Sequence, residues 1–241
     1  MRKANFIFIS AGLLLFTMGC VSSGKAIVEQ KDPIALVSVI SNRDINWKGE
    51  EPTNPNVFSI FGNRVLQDDP DMTLVSYTDE LINTAEMLFR NAINASPIIN
   101  LAEKETVLSS RAYREARTNE PARNTKVMPA NFRFVNSRDK NFPTALVGET
   151  GISRVMFIEF DFTKSMRSGI GKISGEGRAE VDMNVLIKDS KGKTLYNKVF
   201  SSWSMNTIKV TGGAYSQTGL MELFEEAINN ACNDFLNQLG N

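Results

Sequence analysis

Two stretches in the second half of the chain alternate regularly between apolar and polar residues. They cover about residues 155–163 and 178–188, and Glu159, Asp161 and Asp182 lie at polar positions of this pattern. Successive side chains of a β-strand point to opposite faces, so this alternation is typical of strands with one buried face and one solvated face. The chain must therefore build a sheet with one face covered by other elements.

Shorter patterns predict the remaining elements. In chain order we expect a strand over 33–40, a helix from Thr78 to Pro97, a strand over 98–101, a helix over about 104–117, a third long strand over 194–209 and a terminal helix over 220–239. The first strand is almost continuously apolar, as is typical of a strand buried on both faces. Thr78 is followed by two acidic residues, which is a common start of a helix.

These elements predict a single α/β (α+β) domain over residues 33–241. We expect the order β-α-β-α-β-β-β-α, with a mixed sheet of about five strands and helices packed on the sheet. Polar loops over 42–77 and 118–142 are much longer than usual connections. They are therefore either functional or ordered against the rest of the domain.

Aromatic residues in the first long loop are candidates for an interface with a partner protein. They are Trp47, Phe58 and Phe61. Aromatic side chains that little apolar sequence surrounds often anchor protein–protein contacts. The alternative is that Phe58 and Phe61 fix the loop to the domain and that Trp47 makes an edge contact beneath it.

Composition argues against several classes of function. The chain of 241 residues has 27 basic and 27 acidic residues, so it lacks the basic surface expected of a nucleic-acid-binding protein. It contains no histidine, which removes histidine-based acid–base catalysis and the commonest zinc ligand. We predict a protein that is not an enzyme and has no catalytic residues, cofactor or metal. A hydrolase that uses Glu159 and Asp161 is the enzymatic alternative.

Four glycines at 169, 171, 175 and 177 could suggest a phosphate-binding loop. Lys172 is followed by Ile173 instead of serine or threonine, and predicted strands flank the segment on both sides. A hairpin turn between two strands is the better interpretation.

The first twenty residues have the pattern of an export signal. Arg2 and Lys3 precede an apolar stretch over 6–16, and Cys20 follows it. The apolar stretch is shorter than the roughly 20 residues that a membrane-spanning helix needs. We predict a signal peptide over residues 1–19.

The end of this segment resembles the lipobox of bacterial lipoproteins. Gly19 stands directly before Cys20, and Thr17 takes the position that is usually leucine. The resemblance implies acyl chains, such as palmitate, on Cys20, followed by a lipidated tether over 20–32. Because Val21 is not aspartate, it also implies the outer membrane of the cell envelope, at its periplasmic face or surface. The alternative is an ordinary secretory signal with an incidental cysteine.

Cys232 is the only other cysteine, and it lies in the apolar pattern of the terminal helix. We expect a buried thiol and no disulfide.

Four segments carry a further resemblance: IALVSV, SPIINLAEKETVLSS, IKDSKGKTLYNKVF and AINNACNDFLNQL. They resemble the curli-assembly lipoprotein (CsgG) family and the amino-terminal domain of the Tol-Pal protein TolB, over residues 33–41 and 78–239. Members of these families bind other envelope proteins, form oligomers or take part in secretion.

We therefore predict a membrane-anchored envelope lipoprotein that acts as a non-enzymatic module for protein binding, assembly or secretion. Its expected partners are the membrane, envelope proteins and further copies of itself. The alternative is a periplasmic carrier that holds a lipid or a small apolar ligand between the sheet and the long loops.

Overall fold

The alternating segments form one long antiparallel ribbon that runs through the whole molecule.

The computed structural model describes residues 25–28, 32–49, 65–66, 74–118 and 125–240. The strands within these ranges are β1 (Ile34–Asn42), β2 (Asn46–Trp47), β3 (Val65–Leu66), β4 (Lys126–Val127), β5 (Arg154–Ile170), β6 (Ser174–Asp189), β7 (Thr194–Trp203), β8 (Ile208–Thr211) and β9 (Tyr215–Ser216). The helices are α1 (Lys25–Val28), α2 (Leu74–Asn94), α3 (Lys104–Leu108), α4 (Arg111–Arg114), α5 (Asn141–Thr150) and α6 (Gln217–Gly240).

The mixed sheet confirms the predicted α+β class. Its main order is β4-β1-β5-β6-β7, and β2 and β8 extend it beside β5 and β6. β1 runs parallel to β5, whereas β5, β6 and β7 are antiparallel to one another. The sheet has seven strands instead of about five, because short strands such as β2 and β4 lie in loops without a strand pattern.

Helices cover the two faces of the sheet to different extents. On one face, α2 and α6 pack over the ribbon and enclose the larger core, which contains Phe89, Phe160 and Phe235. On the other face, α3, α4 and α5 cover only the first part of β1 and β5, where Val155 and Phe157 are buried. The solvated face that the alternation predicts is therefore present only on the part of the sheet that α3, α4 and α5 do not cover.

The turn between β5 and β6 confirms the predicted hairpin. Gly169 and Gly175 are paired across the ribbon and have φ angles of +124° and +150°. A Cβ atom on Gly169 would lie 2.1 Å from the carbonyl oxygen of Ser174. The two backbones approach so closely here that glycine is required.

The first long helix begins earlier than predicted. α2 starts at Leu74, so Thr78 lies inside the helix and does not cap it. Its buried hydroxyl instead donates a hydrogen bond to the carbonyl oxygen of Arg43, at 2.8 Å. This tertiary contact connects α2 to the end of β1.

The segment after α2 also differs from the prediction. The strand expected over 98–101 is a single bridge between Leu101 and Ile34. The helix expected over 104–117 is divided into α3 and α4, because the side chain of Ser110 accepts a hydrogen bond from the amide of Tyr113 and starts a new helix. The third long strand is likewise divided into β7 and β8.

A buried arginine attaches the beginning of the described chain to the sheet. Arg154 is 2% exposed, and its guanidinium donates hydrogen bonds to the carbonyl oxygens of Ile27, at 2.7 Å, and Asp32. Ile27 is itself fully buried. The predicted tether over 20–32 is therefore part of the fold at residues 25–28, while Cys20 lies outside the described residues.

Candidate functional site

Exposed apolar side chains are found at the turn of the β5–β6 ribbon and beside the strand segments that lead to it. Ile170 is 80% exposed, Met205 69%, Ile173 60% and Trp203 49%. We call these four residues the hairpin end. Arg167 connects its two parts, because its guanidinium donates a hydrogen bond to the carbonyl oxygen of Met205 at 3.3 Å. Solvated apolar surface of this kind marks sites of interaction with other molecules.

Trp203 is the last residue of β7, and it does not contribute to the core. The inward positions of β7 are occupied by Tyr196, Phe200 and Ser202, which are buried. Trp203 therefore points to the solvated face, where the guanidinium of Arg178 lies 5.3 Å from its ring centroid. An arginine at this distance stabilises the orientation of the indole.

The charge around the hairpin end is mainly positive. Segments 165–178 and 203–211 contain Arg167, Lys172, Arg178 and Lys209, and one acidic residue, Glu176. Glu176 lies directly opposite Lys209 across the β6–β8 pair. Arg178 is paired with Glu180, and Glu226 accepts a hydrogen bond from the amide of Met205 at 3.0 Å. The excess of positive charge therefore lies near the turn, at Arg167, Lys172 and Lys209, which we call the basic rim.

The hairpin end lies far from the attached beginning of the chain. Arg154 is the first residue of β5 and Ile170 is the last, and the strand has 17 residues. At about 3.3 Å per residue the two ends are roughly 50 Å apart. The hairpin end and residues 25–28 are therefore at opposite ends of the long ribbon.

Trp47 occupies a buried position and not the exposed position expected of an interface residue. It is 2% exposed, and its ring meets that of Tyr215 edge to face, with centroids 5.9 Å apart. Lys164 is 4% exposed, and its Nζ donates a hydrogen bond to the hydroxyl of Tyr215 at 3.0 Å. A small cavity of about 140 Å³, lined in part by Lys164, Tyr77 and Tyr215, lies beside this group. Phe58 and Phe61 lie outside the described residues.

A larger cavity lies on the other face of the sheet, beneath the loop over 128–137. We call it the loop cavity, and its volume is about 220 Å³. Phe132 and Phe134 fix this loop to the domain, since they are 4% and 6% exposed. Lys188 donates a hydrogen bond to the carbonyl oxygen of Ser137 at 2.6 Å and holds the far side of the loop.

The two carboxylates of the enzymatic alternative have different surroundings. Glu159 forms an ion pair with Lys126 at 2.8 Å, at the loop cavity. Asp161 lies directly opposite Asp182, and burial, together with the charges of Asp182 and Glu159, raises the pKa of Asp161. Among the described residues, no cluster of three or more acidic or cysteine side chains could hold a metal ion.

Several residues of these sites carry no signal in the sequence. Ile170 and Ile173 look like any apolar residues next to a turn, and their exposure depends on how far the ribbon extends beyond the helices. Ser38 and Asn184 enter the loop cavity through strand register, which a single sequence does not reveal. The glycine pattern around residue 170 was the one available indication of an unusual turn.

No family model matches the chain, and no curated protein matches it. Among solved structures, the hypothetical protein CT253 from Chlamydia trachomatis is similar with a TM-score of 0.36 and 7% identity, over 88% of this chain and 94% of that chain. A likeness at this level supports no conclusion about this protein. Within the part of the chain that the structure describes, no helix has the length and apolar character to cross a bilayer.

Proposed function

We propose that this chain is a lipid-anchored protein of the cell envelope whose folded domain binds another protein through the hairpin end. One observation carries the proposal. Four of the six large apolar side chains that the described residues expose belong to the hairpin end. The other two, Met87 and Val199, lie elsewhere on α2 and β7.

The composition of the hairpin end supports a protein partner. Tryptophan, methionine and arginine are enriched at protein–protein interfaces, and all three are present in Trp203, Met205 and Arg167. The basic rim formed by Arg167, Lys172 and Lys209 favours a partner whose contact surface is acidic around an apolar centre.

The lipid anchor rests on the lipobox resemblance at Cys20. Acyl chains at that position would hold the membrane close to the end of the ribbon where Arg154 binds residues 27 and 32. The hairpin end would then point away from the membrane, where envelope proteins can reach it. Such a module suits the assembly or secretion role that the family resemblance implies.

The test is site-specific photocrosslinking in intact cells. A photoreactive residue placed at position 173 should form an adduct with a defined envelope protein, whereas the same residue at Met87 should not. Lys172→Glu combined with Lys209→Glu should reduce the adduct strongly, because the charge of the rim is reversed. Lys191→Glu, at an exposed position in the turn between β6 and β7, is the control for a charge change away from this surface.

The anchor is tested separately by fractionation. Cys20→Ala should move the protein from the membrane fraction to the soluble fraction. Retention of Cys20→Ala in the membrane would refute lipid anchoring but leave the hairpin end intact as a binding surface. Adducts at position 173 with lipid, or with a second copy of the chain, would refute the proposed acidic partner.

The carrier alternative finds less support. Sites for drug-sized ligands have volumes of about 300–1,000 Å³, whereas the loop cavity has about 220 Å³. The loop cavity is therefore smaller than a site for a lipid. Native mass spectrometry of the purified protein checks this, since a lipid carrier should retain its ligand.

A further inference from the structure

An extra residue in β1 determines which side chains enter the loop cavity. Leu36 pairs with Met156 and Ser38 pairs with Phe157, so Val37 has no partner of its own in β5. Such a bulge changes the face to which the following side chains point. Val37 and Ser38 consequently lie on the same face, and Ser38 lines the cavity instead of entering the core under α2 and α6.

One side of the loop cavity is apolar. Ile40, Phe134, Phe157 and Leu186 form this side. Phe134 and Phe157 are 6% and 8% exposed, so the apolar wall is fixed in place by its own packing. It can accept an aliphatic or aromatic group of modest size.

Next to this apolar wall the cavity lining contains an unsatisfied hydrogen-bond acceptor. Oδ1 of Asn184 is buried and accepts no hydrogen bond from any described residue. A buried acceptor without a donor is costly and uncommon in native proteins. A ligand that brings a donor into the cavity would satisfy it.

Both signs of charge are present next to this acceptor. Glu159 lies directly opposite Asn184 in the β5–β6 register, which places their Cβ atoms about 5 Å apart. Nζ of Lys126 lies 2.8 Å from Oε1 of Glu159, and both side chains line the cavity. Glu159 is 40% and Lys126 24% exposed, so this ion pair is reachable from solvent.

We propose that the loop cavity binds a free α-amino acid with an apolar side chain. Its ammonium group would donate hydrogen bonds to Oδ1 of Asn184 and to the carboxylate of Glu159. Its carboxylate would accept from Lys126, and its side chain would contact Phe134 and Phe157. A volume below that of drug-sized sites suits a ligand of this size.

Calorimetric titration of the full chain, purified in detergent, tests the proposal with four probes. L-Leucine and L-phenylalanine are the amino acids. Isopentylamine is leucine without its carboxylate, and isocaproate is leucine without its ammonium. We expect L-leucine or L-phenylalanine to bind, isopentylamine to bind more weakly and isocaproate to bind most weakly. The reason is that the ammonium group has two acceptors in the cavity, Asn184 and Glu159.

Variants locate the binding in the cavity. Asn184→Leu and Glu159→Gln should each weaken binding of the amino acid by about tenfold or more, since each removes a hydrogen bond to a charged group. Asn91→Leu and Glu176→Gln are matched controls at exposed positions outside the cavity and should bind as the native chain does. Circular dichroism verifies that every variant is folded.

Three results would overturn the proposal. The first is that neither amino acid binds to the native chain. The second is that isocaproate binds as tightly as L-leucine, which would exclude recognition of the ammonium group. The third is that folded Asn184→Leu and Glu159→Gln proteins keep the native affinity, which would place the binding elsewhere. The probe comparison uses the native chain and remains decisive if a variant does not fold.

Discussion

Removal of the Phe235 ring should destabilise the protein severely. Phe235 is fully buried, and its ring centroid lies 5.5 Å from that of Phe200 and 6.0 Å from those of Phe89 and Tyr196. It thereby joins α6 to α2 on one side and to β7 on the other. Phe235→Ala leaves a cavity between α2, α6 and β7, and we do not expect these three elements to move together and close it.

The expected magnitude follows from these contacts. Replacement of a buried phenylalanine by alanine costs about 3–5 kcal/mol, and three ring pairs place Phe235 near the upper part of this range. Since a domain has a total stability of about 5–15 kcal/mol, the loss is a large fraction. With a denaturant slope of about 2 kcal/mol per molar urea, the midpoint should fall by about 2 M.

Urea denaturation followed by circular dichroism measures this change. The control is Met87→Ala on α2, where the side chain is 51% exposed and the expected change is within about 0.5 kcal/mol. A loss below about 2 kcal/mol for Phe235→Ala, with an unchanged denaturant slope, would show that the ring does not hold the three elements together.

Three further predictions concern single residues. Gly169→Ala should raise hydrogen exchange at the turn, because its Cβ atom would lie 2.1 Å from the carbonyl oxygen of Ser174; unchanged protection would contradict the hairpin geometry. Arg154→Met should lower the free energy of unfolding by about 2 kcal/mol or more, since buried hydrogen bonds from a charged group are lost; an unfolding titration equal to that of the native chain would argue against this attachment. Burial raises the pKa of the Cys232 thiol to about 12, above its usual value of about 8.5 in an unfolded chain. Its contribution to stability is therefore complete below about pH 8.5 and decreases toward pH 12, by about 1.4 kcal/mol per pH unit. Denaturation at about pH 8 and 10 should show this decrease in the native chain and a smaller one in Cys232→Ala, and equal decreases would contradict the assignment.

Elements with a strong local pattern were predictable from the sequence. β5 and β6 follow the alternation that begins at Met156 and at Ala179, and α6 follows the apolar stripe from Leu220 to Leu239. In each case the buried face is determined by neighbouring residues of the same element. The interactions that determine these elements are therefore made between residues that are close in the sequence, where the pattern is visible.

Features that depend on distant contacts were not predictable. Thr78 is a residue type that often caps helices, but its hydroxyl donates a hydrogen bond to the carbonyl oxygen of Arg43. Trp203 is apolar, but the register of β7 places it on the solvated face. The bulge at Val37 depends on how β1 aligns with β5. The loop cavity and the hairpin end both rest on such features, so the candidate sites emerged only from the structure.

The pairing of β1 with β5 has a consequence for how the chain folds. Asn42 is hydrogen-bonded to Phe162, which is 120 residues later in the chain, and β1 is parallel to β5 along most of its length. Pairings across such large separations form slowly. The first strand of a newly made chain cannot pair until β5 has been synthesised, so we expect a long interval in which the protein stays unfolded and accessible to chaperones.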